Sequence, residues 1–91
     1  MPALSSARRS ELRAQAHALH PVVIIGDKGL TDEVIAEIDR SLKAHELIKV
    51  RAPSLERDAR GHALAAVCER TGAQAVQQVG KVWVLFRKND E

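Results

Sequence analysis

The run VVIIGDKGLTDEVIAEI, Val22 to Ile38, followed by ELIKVR, Glu46 to Arg51, constrains the fold more than any other part of the chain. An apolar strand enters a turn bounded by two glycines, continues as an amphipathic helix and ends in a second strand. Strand–helix–strand crossovers are right-handed in nearly all cases, so this helix and the next one should share one face of a sheet.

Each piece carries its own signal. Val22 to Ile25 is apolar at every position, the pattern of a strand buried on both faces. Thr31 is a good N-cap for the helix, and Asp32 and Glu33 suit the positive end of its dipole. Val34, Ile35, Ile38 and Leu42 form a core-facing stripe. The opposite side sets Asp32, Glu33, Glu37 and Asp39 against Arg40 and Lys43, a face that repels phosphate. In the second strand Ile48 and Val50 share one face, Lys49 and Arg51 the other, and Pro53 ends it.

The flanking segments complete the order. SSARRSELRAQAHALHP reads as a first helix, capped by Ser5 or Ser6 and stopped by Pro21. Leu12, Ala16 and Leu19 make its narrow apolar stripe, and Arg9, Arg13 and His20 fall within about 40° of arc as a basic ridge. A third helix runs from about Leu55 to Thr71, with Ser54 in the capping position and Gly72 as its stop. Its buried line is Leu55, Ala59, Ala63 and Ala66, and Gly61 weakens it by about 1 kcal/mol relative to alanine. AQAVQQVGKVWVLFRK is strand, Gly80-Lys81 turn and strand, with glycine where a type II′ hairpin needs it. The expected fold is a two-layer α/β (α+β) domain over residues 1–91, ordered α-β-α-β-α-β-β, its sheet made mixed by the final hairpin.

Composition narrows the function. Ninety-one residues support one modest core and little room for a deep enclosed active site. Trp83 and Phe86 are the only aromatics, so that core must be aliphatic. Fourteen Lys and Arg against twelve Asp and Glu leave +2, too mild to argue for nucleic acid without regard to where the charges lie. Cys68 has no second cysteine to pair with, which fits a reduced compartment. No apolar run resembles a signal peptide or approaches the roughly 20 residues of a membrane span, so a cytoplasmic protein is expected. His17 and His20 lack the cysteine or carboxylate partners of a metal site, and Cys68 with His62 lacks a third orienting group. The chain is expected to be no enzyme and to need no cofactor, metal or small-molecule substrate.

The turn has a chemistry of its own. Gly26 and Gly29 lack Cβ atoms, so the main chain there can take positive φ and approach a ligand backbone closely. The turn feeds a helix N-terminus, where free N–H groups favour an anion, and Lys28 adds a mobile positive charge. A sugar-phosphate chain suits such a turn, as in the GXXG loop of KH domains.

HPVVIIGDKGLTDEVIAEIDRSLKAHELIKVR together with GAQAVQQVGKVWVLFRK resembles the CRM domain (chloroplast RNA splicing and ribosome maturation), specifically its stand-alone bacterial YhbY-like members. The likeness runs from about Leu4 to Lys88, and IGDKGLT, ELIKV and VGKVWVLFR are its most specific pieces. It implies a fold like the C-terminal domain of translation initiation factor 3, a four-stranded mixed sheet with helices on one face. It also implies RNA binding, with the stand-alone members associated with precursors of the large ribosomal subunit. On this chain the family's G-x-x-G loop is Gly26, Asp27, Lys28 and Gly29, and the basic contribution of the first helix is Arg9 and Arg13. Asp27 departs from the basic or neutral residue usual at its position and opposes phosphate, unless it bonds a ribose hydroxyl or a loop N–H.

Each residue also has a plainer reading. Arg9 and Arg13 can simply solvate a helix; Arg57 and Arg60 can do the same on the third. Lys49 with Arg51, and Lys81 with Arg87, share strand faces that would extend an RNA site, although Lys81 also suits a turn. Trp83 has the parity of Lys81 and Arg87, which permits base stacking, but a lone Trp in an apolar strand usually belongs to the core. The leading expectation is an RNA-binding protein of ribosome assembly, with ribosomal proteins completing its site. The competing one is a protein–protein adaptor that uses the acidic second helix or an edge strand.

Overall fold

The computed structural model describes residues 4–89. The elements are α1 (Ser6–Ala16), β1 (Pro21–Ile24), α2 (Asp32–His45), β2 (Leu47–Arg51), α3 (Arg57–Thr71), β3 (Gln74–Val79) and β4 (Val82–Phe86). The four strands form one sheet in the order β1-β2-β4-β3. β1 runs parallel to β2, while β4 is antiparallel to both its neighbours. This is the expected element order and the expected mixed sheet.

Local chemistry sets the boundaries. The Ser5 hydroxyl accepts from the Arg8 amide at 3.1 Å and starts α1. Thr31 does the same for Val34 at 3.1 Å and starts α2. Gly72, with φ of 77°, closes α3 in the left-handed region. Gly80 sits at φ 56° in the β3–β4 turn while Lys81 stays at negative φ, as a type II′ hairpin requires. Two boundaries differ from expectation: α1 ends at Ala16, short of Pro21, and α3 starts late. α3 starts at Arg57 behind Glu56, and Ser54 caps nothing because its hydroxyl bonds Asp27. Its buried residues are Leu64, Val67 and Thr71, about one position round from the expected alanine line. The many alanines give this helix so little apolar contrast that the larger side chains decide which side faces in.

Two clusters fill the two faces of the sheet. On the rear face α2 and α3 cover Val23, Ile25, Ile48, Val50, Trp83 and Leu85. On the front face α1 lays Leu12 and Ala16 on Val76 and Val84, with Leu19, Leu47 and Phe86 packed around them. The helices are therefore not all on one side, as the two-layer expectation had it: α1 forms a separate layer in front. A helix that precedes β1 is outside the crossover rule, which governs only α2 and α3.

β1 also differs. It is an edge strand, and the front face beside it is bare: Val22 is 46% exposed and Ile24 58%. Its apolar run is buried on one face only. Trp83 is fully buried on the rear face, so it belongs to the core and offers no stacking platform.

Candidate nucleic-acid interface

Three cation-bearing segments converge at one end of the sheet. β1 and β2 are parallel, so the turn after β1 lies beside the end of β2, where the Ile25 amide donates to the Arg51 carbonyl at 2.8 Å. Arg51 pairs with Val82, and the Ala52 amide donates to the Lys81 carbonyl at 2.7 Å. Turn Gly26–Gly29, the β2 end at Arg51 and the hairpin tip at Lys81 are thereby stitched edge to edge through backbone bonds.

The front face continues the charge inward. Lys49 and Arg51 alternate with buried Ile48 and Val50 and so stand on the side of α1. Arg13 of α1 and His17, which caps its C-terminal end, face Lys49 across a groove of about 340 Å³ floored by valines. None of the four strands contains a carboxylate. Among the described residues Arg13, Lys28, Lys49, Arg51 and Lys81 form no ion pair. Their charge is unspent.

The turn is a closed one. The Gly29 amide donates to the Gly26 carbonyl at 3.0 Å, leaving Asp27 and Lys28 exposed at the tip. Gly29 has φ of 70°, a left-handed value. Gly26 does not, contrary to expectation, but a Cβ built on it would meet nothing within 4 Å, so its outer side is open to close approach. Asp27 accepts a hydrogen bond from the Ser54 hydroxyl at 2.9 Å, which commits one carboxylate oxygen to the β2–α3 connection.

The side of the turn toward α2 is acidic. A hollow of about 480 Å³ there is lined by Asp27 and Glu33 as well as Lys28, and the Thr31 hydroxyl already satisfies the Val34 amide. The helix end, expected to hold phosphate, is thus capped and flanked by carboxylates. Cations concentrate on the opposite side, over β2.

Two expected contacts serve the fold instead. Arg9 donates from Nη1 to the Ala75 and Val76 carbonyls at 2.6 and 3.1 Å, where β3 shifts register. His20 lies beyond α1 beside Val22 and His45, so the ridge of Arg9, Arg13 and His20 does not form. Arg87 donates to Asp39 Oδ1 at 2.6 Å and to the Thr71 carbonyl at 2.7 Å, joining β4 to α2 and α3 on the rear side. That guanidinium holds the Asp39 carboxyl below the usual carboxylate range. Lys81 and Arg87 are at opposite ends of β4 and do not act as a pair.

Among the described residues no group of three or more His, Cys, Asp or Glu could hold a metal ion, and no helix is long and apolar enough to cross a membrane. Cys68 is half-buried, and burial pushes its thiol up. Of the interface, sequence reasoning missed the groove beneath α1, because nothing in the alternation of β3 marks Gln77 and Val79 as neighbours of Arg13.

The result is an α+β domain with no carboxylate on its strands, cations on the front of its sheet and an acidic helix behind, a charge layout that suits a polyanion. The CRS1/YhbY (CRM) domain matches residues 4–87, and the chain belongs to that family. It is 40% identical over its whole length to an RNA-binding protein of Haemophilus influenzae, covering 92% of that protein. It is 39% identical over 96% of its length to a protein of Pseudomonas aeruginosa named "Probable RNA-binding protein", covering 84% of it. A hypothetical protein of Staphylococcus aureus, solved in solution, superposes with a TM-score of 0.83 at 30% identity, over 98% of this chain and 93% of that one.

Proposed function

We propose that this protein binds RNA through the front of its sheet and the Gly26–Gly29 turn, acting on ribosomal RNA in precursors of the large subunit during ribosome assembly in the cytoplasm. One observation carries the reading: Arg13, Lys49, Arg51, Lys81 and Lys28 form no ion pair among the described residues and gather around strands that hold no carboxylate. The RNA-binding relatives and the family resemblance supply the direction. The role is one of recognition without catalysis, over the single domain 1–91, and ribosomal proteins are the expected neighbours.

The mechanism is electrostatic and steric. Phosphates run along the Lys49–Arg51 line toward the turn, where Gly26 lets the RNA backbone come close and Lys28 supplies counter-charge. Arg9 and Arg87 support this surface without touching RNA, and Asp27 marks its acidic border. Five cations at about 0.7–0.9 each give a log–log salt slope of about −3.5 to −4.5.

Binding titrations across salt concentrations test this. Lys28→Ala and Arg51→Ala should each weaken binding and flatten the slope by about 0.7–0.9 while leaving Tm unchanged. Crosslinking in cells with sequencing of the attached RNA should return ribosomal RNA from large-subunit precursors. The bare edge of β1, with Val22 and Ile24 exposed, favours a second reading, a protein adaptor. Unchanged RNA affinity in both variants would support that one.

A further inference from the structure

We infer that the groove between α1 and the β3–β4 hairpin holds one unstacked nucleotide, so that the protein selects single-stranded loops or bulges over continuous duplex. The inference rests on the RNA-binding reading and assigns this groove a role in it. The groove holds about 340 Å³, at the small end of ligand pockets, and is walled by α1 on one side and the sheet on the other. Its floor is Val79, Val82 and Val84. Arg13 and Lys49 stand at its rim. The ligand it suits is flat and apolar within and anionic at its edges.

Gln77 supplies the polar specificity. The register shift in β3 lets Val76 and Gln77 both serve the front face, Val76 in the core under α1 and Gln77 in the groove. The Gln77 side-chain amide makes no hydrogen bond among the described residues. It offers both a donor and an acceptor, the combination that a base edge presents. RNA also follows from continuity, since Lys49 belongs to both the groove and the cationic line to Arg51. Paired bases cannot enter, because an A-form helix keeps its bases stacked and its major groove too narrow for side chains. With Trp83 buried on the other face, valine contacts replace aromatic stacking.

Two labelled octamers of equal charge test this by anisotropy: a mixed-sequence single-stranded RNA and an abasic ribose-phosphate chain. The protein should prefer the base-bearing octamer by about fivefold or more, the worth of one net hydrogen bond. Gln77→Leu and Val79→Ser should each bring that preference toward unity while the salt slope stays as it was. Val79 is 59% exposed and Gln77 is half-buried, so both variants should keep the wild-type Tm. Equal affinity for both octamers, or a preference unchanged in both variants, overturns the groove assignment. If Lys28→Ala and Arg51→Ala still weaken binding in that case, the RNA-binding reading survives; no binding of either octamer by the unmodified protein sinks both.

Discussion

Arg87→Ala separates an arginine of the fold from an arginine of the interface. In the structure its side chain is only 14% exposed, and its guanidinium makes a 2.6 Å bond to Asp39 and bonds of 2.7 and 3.2 Å to the Thr71 and Asp39 carbonyls. A hydrogen bond between charged groups contributes about 1.5–3 kcal/mol, and removing one partner leaves the other unsatisfied. Thr71 ends α3, so its carbonyl also loses a cation suited to the negative end of that helix. Because these terms overlap, about 2–3 kcal/mol is expected in total. For a domain this size that lowers Tm by about 10–20 °C. The pH dependence supplies a second check. Asp39 has a carboxyl pKa depressed by Arg87, so the bond is at full strength above the unfolded value of about 3.9 and is lost as pH falls through the folded one. The gap between variant and parent should therefore be full at pH 7 and narrow below about pH 4. Asp39 keeps 35% of its side chain in water, and screening makes this the smaller share of the effect. Thermal unfolding by circular dichroism at both pH values, beside an RNA salt titration, measures all of it. A variant with the parent's Tm but a flatter salt slope would refute the reasoning and place Arg87 against RNA.

Four further outcomes follow from the same structure. Gly61→Ala should raise stability by about 1 kcal/mol, because the added Cβ meets nothing within 4 Å inside α3; an unchanged Tm would contradict it. Gly29→Ala should cost about 1–2 kcal/mol because its φ of 70° disfavours a side chain, whereas Gly26→Ala should leave Tm alone and weaken RNA binding by blocking close approach. Cys68, with its thiol raised by burial, should react with iodoacetamide more slowly at pH 8 than a free cysteine, and equal rates would show that α3 opens easily.

Much of the fold can be read from residue order, because its signals are local. Thr31 and Gly72 bound helices by rules that need no tertiary context, and the alternation of Ile48 and Val50 with Lys49 and Arg51 assigns each face of β2. What cannot be read depends on contacts distant in sequence. The stripe of Leu12 and Ala16 says that α1 is buried on one side, but not against which face of the sheet. Val22 and Ile24 look like core residues until α1 is seen to pack over β2, β3 and β4, leaving the β1 edge bare. Arg9 and Arg13 are equivalent on a helical wheel. They part company because a register shift in β3 aims two carbonyls at Arg9, while Arg13 stands over the valine floor.

That division explains how a chain with a net charge of only +2 can face a polyanion. Its carboxylates are concentrated elsewhere: Asp32, Glu33 and Glu37 are exposed on α2 behind the sheet. Among the described residues four cations are spent on ion pairs, Arg8 with Glu11, Lys43 and Arg87 with Asp39, and Arg70 with Asp32. Of the cations that form no ion pair among the described residues, Arg13, Lys49 and Arg51 are on the front, where no strand offers a carboxylate to cancel them, while Arg40 and Arg57 stay on the rear helices. Approach onto the exposed carboxylates of α2 meets like charge, which disfavours that side before any contact forms. The Gly26–Gly29 turn lies on the seam between the two fields, with Glu33 on one side and Arg51 on the other. On the proposed reading, its open glycine and exposed lysine would admit a phosphate from the side of β2, and the carboxylates toward α2 would stop the chain from running farther round.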